Sequence, residues 1–328
     1  MPTSAIHPAL GYLCLIALLL SQSVLSAEVR VQQLKLPEPW AHADLGYSGM
    51  TWCGPWLVLL PQYPQGKVIG FTEQQLSEGL DGKPLTAPKV LPFQENKTAE
   101  LIPDFEGYEG LICQKERAWL LAETNSRKKE TRSYLIPADF NNEDLGFKLH
   151  PRRAIAVPST ELEPNLGNEA IALVGEHIFS FYEHNSNEHF SETLANLIDP
   201  SPLLLNQIPI VDIPFRITDA TNADTDNRLW VLNYFYTGDT HMQRRKDPIQ
   251  EQFGSAPTHR QAGWVERILE LKVNTQGIQL SGRPPVNLHL KTGQGRNWEG
   301  LARFGNRGFL VVTDRFPETI FGFVPYEY

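Results

Sequence analysis

The chain has 328 residues and a mass of 37.1 kDa, enough to bury a sizeable core in one or two domains. Its 29 Lys and Arg stand against 38 Asp and Glu, a formal net charge of −9, which excludes a generally basic nucleic-acid surface. Three cysteines without a CxxC pair exclude a disulfide-framework fold, while 25 prolines and 24 glycines suggest many turns between short strands.

Residues 9–20, ALGYLCLIALLL, form an apolar run followed by SQSVLSAEVR. This pattern is that of a signal peptide over 1–27, cut after Ala27 or after Ser26. A membrane span needs about 20 apolar residues, and this run ends too soon. The segment ahead of the run has no Lys or Arg, so an uncleaved anchor and a buried helix are the alternatives. Cleavage implies a periplasmic or secreted protein without a stable membrane span. It also leaves only Cys53 and Cys113, which either bridge or remain buried thiols, because their registers differ by one residue.

Strand-like runs then recur: WLVLL at 56–60, AWLLAE at 118–123, IFSFYE at 178–183, LWVLN at 229–233 and FLVVTD at 309–314. Each follows a small or acidic start. Counting from that start to the polar residue closing the strand gives Ser48–Gln62, Glu109–Glu123, Glu169–Glu183, Asp219–Asn233 and Glu299–Asp314. The separations are 14, 14, 14, 14 and 15, whereas the starts themselves lie 61, 60, 50 and 80 residues apart. A constant hairpin with variable connections predicts an all-β chain, a β-propeller whose count favours five blades. Six blades would require an eroded unit inside the 80-residue gap. Outer strands are expected in VIGFTE at 68–73, TRSYLIP at 131–137, ERILELKV at 266–273 and TIFGFVPY at 319–326.

Residues 28–328 read as a single domain in which 28–36 closes the last blade. Residues 237–263 form an insertion with a QRRKD cluster, and SRKKETR at 126–132 reads as a charged hairpin tip. Asn96-Lys97-Thr98 matches a glycosylation sequon.

A hairpin starts and ends on one side of its sheet, so the ten positions converge, and seven of them are acidic. Three roles are open for them. They organise the hub by accepting backbone N–H bonds. They hold a divalent cation such as calcium, with Glu109, Glu169, Asp219 and Glu299 as ligands. Or one of Glu299, Glu109 and Asp314 is a catalytic acid or base. Glu123, Glu183, Asn233, Asp314, Arg315 and Trp298 would line the surrounding funnel. No GxSxG elbow, HExxH helix, P-loop or strand-following Rossmann glycine pattern is present.

Three carriers, Glu109-Gly110-Leu111 through Glu123, Asn168-Glu169-Ala170 through Glu183, and Asn297-Trp298-Glu299-Gly300 through Asp314, together with Ile213–Phe235, resemble the phytase-like, or esterase-like, propeller domain of exported bacterial proteins. The resemblance spans roughly residues 40–328 and implies a periplasmic or secreted protein with a hydrolase label and calcium over a central channel. Ser48 and Ala170 depart from the pattern. The expected function is a metal-dependent hydrolase of a small ester or phosphoester acting through an acidic funnel. The alternative is a non-catalytic propeller that binds a small molecule or a protein. A monomer that does not bind nucleic acid is expected in either case.

Overall fold

The computed structural model describes residues 27–327 apart from 127–129, 142–145, 161–165, 187, 189–190, 202, 243–245 and 292–294. The expected signal run, most of the QRRKD cluster and the tip of the charged hairpin therefore lie outside the described residues.

Two short strands lead the chain, β1 (Glu28–Val29) and β2 (Gln32–Gln33). Nine follow: β3 (Tyr47–Cys53), β4 (Trp56–Pro61), β5 (Lys67–Thr72), β6 (Lys89–Gln94), β7 (Phe105–Gln114), β8 (Arg117–Ser126), β9 (Glu130–Asn141), β10 (Gly146–Leu149) and β11 (Ile155–Val157). Then come β12 (Asn168–Val174), β13 (His177–Tyr182), β14 (Leu194–Pro200) and β15 (Leu203–Pro209). The chain ends with β16 (Arg216–Ala220), β17 (Arg228–Phe235), β18 (Val265–Asn274), β19 (Gly277–Leu280), β20 (Val286–Leu288), β21 (Trp298–Arg303), β22 (Gly308–Thr313) and β23 (Phe321–Pro325). Apolar and β-branched runs such as WLVLLP in β4 and GFLVVT in β22 are buried almost throughout, as befits strands covered on both faces.

The strands gather into four sheets. β3–β11 make a nine-stranded sheet, β12–β15 a four-stranded one, β16–β20 with β1 a six-stranded one, and β21–β23 with β2 a second four-stranded one. This corrects the expectation of five or six like, radially repeated blades. The first two expected units are one sheet, ordered β3-β4-β5-β6-β10-β9-β8-β7 and joined by the parallel pairing of Phe93 and Gln94 with Phe147 and Lys148. Its end strands approach each other closely, with the Cβ position of Gly49 3.3 Å from Gly110 Cα, so the sheet is near-closed in the manner of a barrel. The physical reason is edge satisfaction: β6 and β10 would otherwise each present unpaired backbone groups.

A disulfide between Cys53 and Cys113 ties those end strands together. Closing a 60-residue separation stabilises the fold by about 4 kcal/mol on the loop-entropy account. Apolar clusters fill the spaces between sheets. Ile112, Trp119 and Leu121 pack on Ile171, Leu173 and Ile198, and Trp230 and Ile268 pack on Trp298, Phe309 and Val311.

The expected outer strands are present as β5, β9, β18 and β23, and β2 pairs antiparallel with β23. Within the expected insertion, two short helices, α1 (Pro248–Phe253) and α2 (Pro257–Ala262), pack beside β18 and β20. Asp247 caps α1 by accepting from the N–H groups of Ile249 and Gln250, and His259 of α2 bonds Leu288 O. Among the described residues no helix is long and apolar enough to cross a membrane. The side-chain amide of Asn96 in the sequon donates to Leu149 O at 2.6 Å.

Candidate functional site

The 14-residue spacing has a local structural cause. In the hairpins opened by β3, β7, β12, β16 and β21 the ladder register slips within the first strand. The slips fall between Tyr47 and Gly49, Tyr108 and Gly110, Asn168 and Ala170, Ile217 and Ala220, and Trp298 and Gly300. Ser48, Glu109, Glu169, Asp219 and Glu299 are therefore bulge residues. A bulge leaves one residue unpaired and re-aims its side chain, which is how a strand delivers a carboxyl away from its own ladder. Glycine follows three of them, at Gly49, Gly110 and Gly300, and allows a neighbouring strand to approach, whereas Ala170 and Ala220 follow the other two. A Cβ on Gly110 would lie 2.8 Å from Glu169 O, and one on Gly300 would lie 2.5 Å from Val312 Cγ1.

β3, β7, β12, β16 and β21 neighbour one another in that order, and β21 returns to β3. At one end of this group lies a cavity of about 620 Å³. Glu109, Glu123, Glu169, Glu299, Asp314 and Arg315 line it, together with Ser48 and Gln62. Four expected residues, Asp219, Asn233, Trp298 and Glu183, stand apart from the lining. Asp219 turns its carboxylate onto the N–H groups of Ala220 and Leu301, at 2.8 and 2.6 Å. Asn233 donates to Pro214 O and Arg216 O and accepts from Arg267 Nε. Trp298 is fully buried, with its indole N–H on Glu266 Oε2 at 2.7 Å. Glu183 is buried against Arg216 rather than open to the cavity.

Sequence reasoning missed Arg216 as a lining residue, as well as Tyr234, Tyr236 and Trp264. Arg216 lies three positions before the bulge acid of its own hairpin, outside the counted interval. Its guanidinium pairs with Glu183 on one side, while Asp239 accepts from its Nε at 2.7 Å on the other. Arg296 pairs with Glu266 at 2.7 Å. Two of the three arginines in the lining are thus consumed by carboxylates beside them. The third, Arg315, donates to Gln62 Oε1 at 3.1 Å and lies 3.9 Å from Asp314.

The remaining acids are under-compensated. None of Glu106, Glu109, Glu123, Glu169 and Glu299 makes an ion pair with a described residue. Glu109 accepts from Gln62 Nε2 at 3.0 Å, but Glu123 Oε1 and Glu169 Oε2 are shielded from solvent and have no hydrogen-bond partner. Gly167 makes room for Glu123, since a Cβ there would lie 1.7 Å from Oε1.

Burial disfavours the charged carboxylate, and like charges nearby add to the effect. Burial, reinforced by the Glu169 charge, raises Glu109 well above the ordinary carboxyl range, and Glu299 follows for the same two reasons. Glu123 is raised by burial and then by Glu109. Glu169 is pushed up to about 7 by burial, against the opposing pull of Arg216. The cavity thus carries carboxyls whose protonated form is favoured by burial, able to donate as well as accept hydrogen bonds.

Among the described residues no group of three or more His, Cys, Asp or Glu is arranged to hold a metal ion. That corrects the expectation of a metal-dependent hydrolase working through a propeller funnel. The physical reason lies partly at Asp219, whose carboxylate is spent on backbone amides. The binding-propeller alternative falls with the same sheet topology.

No family model matches the chain, and no curated protein matches it. Among solved structures, an endo-arabinase from Bacteroides thetaiotaomicron VPI-5482 is similar over 90% of this chain and 98% of its own, at 10% identity and a TM-score of 0.51. A glucose dehydrogenase aligns over 90% of this chain and 99% of its own, at 9% identity and a TM-score of 0.48. The soluble aldose sugar dehydrogenase from Escherichia coli covers 91% and 100%, at 9% identity and a TM-score of 0.45. At such identities the likeness extends to the fold alone. The sheet topology corrects the resemblance to the phytase-like domain.

Proposed function

We propose that the chain binds a small polar molecule in this cavity and exchanges a proton with it through Glu169. The observation that carries this reading is the pair of shielded, unpartnered oxygens, Glu123 Oε1 and Glu169 Oε2, on carboxyls of the cavity lining. An unpaired buried acceptor costs about 1–3 kcal/mol, which donors on a ligand would recover. A carboxyl titrating near 7 is matched to general acid–base work at neutral pH, because it is present in both protonation states. The volume of about 620 Å³ suits a small molecule and exceeds what a single ion fills.

A thermal-shift screen of cationic, neutral polyhydroxylated and anionic small molecules near neutral pH tests the reading. Ligands of at least one class are expected to raise the melting midpoint of the wild type but not of the Glu123→Gln/Glu169→Gln double variant. Identical behaviour of the two proteins across the whole screen would overturn it.

A further inference from the structure

The chemistry of the ligand follows from two observations that do not depend on each other: the balance of charge around the cavity floor, and the aromatic side chains at its mouth.

The floor is short of positive charge. Arg216 and Arg296 are already neutralised by Glu183, Asp239 and Glu266, so neither is free for an anionic ligand. Glu106, Glu109, Glu123, Glu169 and Glu299 line the same space, offset by Arg315 at the rim and by an Arg216 already engaged with Glu183 and Asp239. An anion entering here would meet carboxyls at close range. A neutral molecule would satisfy acceptors but would leave the charge balance as it is. Glu123 is only 8% exposed, and its unpartnered Oε1 is shielded beside Gly167 at the edge of this lining.

The mouth is aromatic. Tyr236 is 43% exposed and Phe316 61%, two of the most exposed large apolar side chains in the described chain, and both line the cavity. Trp264 joins them: a Cβ on Gly295 would lie 3.5 Å from Tyr236 Cβ and 3.9 Å from the Trp264 ring, so the two side chains meet over that glycine. The indole N–H of Trp264 is taken by Thr237 Oγ1 at 3.2 Å, which leaves the ring face rather than the donor for a ligand. Phe316 is held at its backbone, where its N–H donates to Asp314 Oδ1 at 2.7 Å. Exposed aromatic faces above a floor of buried carboxyls form the arrangement in which a cation gains from ring quadrupoles and, by favouring the ionised form of the carboxyls beside it, from charge attraction.

Building on the small-molecule reading above, we infer that the ligand is an organic cation, a protonated or quaternary amine, with its charged head on the carboxyls and its carbon substituents against Tyr236, Trp264 and Phe316.

Isothermal titration of the whole chain tests this with choline and benzylamine, with an uncharged isostere of each in which carbon replaces the nitrogen, and with glucose and calcium chloride as comparators. At least one cation is expected to bind about tenfold or more tightly than its isostere, the equivalent of one carboxyl or aromatic contact. Phe316→Ala should weaken that cation several-fold at an unchanged melting midpoint, and Glu123→Gln/Glu169→Gln should weaken it further. Saturable binding by neither cation, or equal binding of cation and isostere, would overturn the inference. Glucose or calcium binding that is lost in the double variant, without cation binding, would overturn it while leaving the cavity reading intact. If no probe distinguishes wild type from double variant, both fall.

Discussion

Two walls of the same cavity handle buried acid in opposite ways. On one, Arg216 lies between Glu183 and Asp239, and Arg296 lies on Glu266, so each buried carboxylate has a cation within hydrogen-bonding reach. On the other, Glu109, Glu123 and Glu169 have burial and each other's charge to contend with, and they respond by holding protons. The paired wall is fixed by its own contacts. The unpaired wall carries free acceptors, and those give a ligand something to bind. Asp219 sharpens the contrast, because it occupies the same kind of bulge as Glu109 and Glu169 yet is satisfied by two backbone amides. Position in the repeat therefore does not assign a role. Partners do.

The largest effect is expected from breaking the paired wall. Arg216→Met strands Glu183 and Asp239 without a cation and should cost about 3–5 kcal/mol in urea denaturation. Asp219→Ala should cost less, about 1–3 kcal/mol, by leaving the Ala220 and Leu301 N–H groups unpaired. Gly167→Ala drives a methyl group into the Glu123 carboxyl and should cost about 1–3 kcal/mol in the wild type. In a Glu123→Ala background most of that cost should vanish, and the double-mutant cycle measures the difference.

The pH dependence of stability has its own sign. Glu169 titrates at about 7 in the fold against an ordinary 4.5, so the folded state binds the extra proton. Its contribution to stability is fully present below about 4.5 and is lost as pH rises through about 7. Calorimetry should show the wild-type melting midpoint falling between about pH 5 and pH 8, with a shallower fall in Glu169→Gln.

The sequence made the bulge acids legible because the bulge repeats at fixed distance from the residue that closes its hairpin, as in Glu109–Glu123 and Glu169–Glu183. Most strands were legible too, through apolar runs bounded by turns. The merging of two expected units was not. It rests on a parallel contact of two residues a side, Phe93 and Gln94 with Phe147 and Lys148, and a strand's own pattern does not name its partner. The rim was equally hidden. Tyr236 lies just before the 237–263 insertion, Trp264 just after it, and Phe316 past the last counted position, and only the fold brings them together. The fate of Asp219 was invisible because its donors are backbone N–H groups, which leave no trace in residue type.

The central claim is that the unpaired wall holds a proton near neutrality. Carbon-detected NMR titration of the glutamate side-chain carboxyls, in the wild type and in Glu169→Gln, reads this directly. The account predicts one carboxyl with a midpoint at about 7 that is missing from the variant. A wild type whose glutamates all titrate in the ordinary range around 4.5 would contradict it.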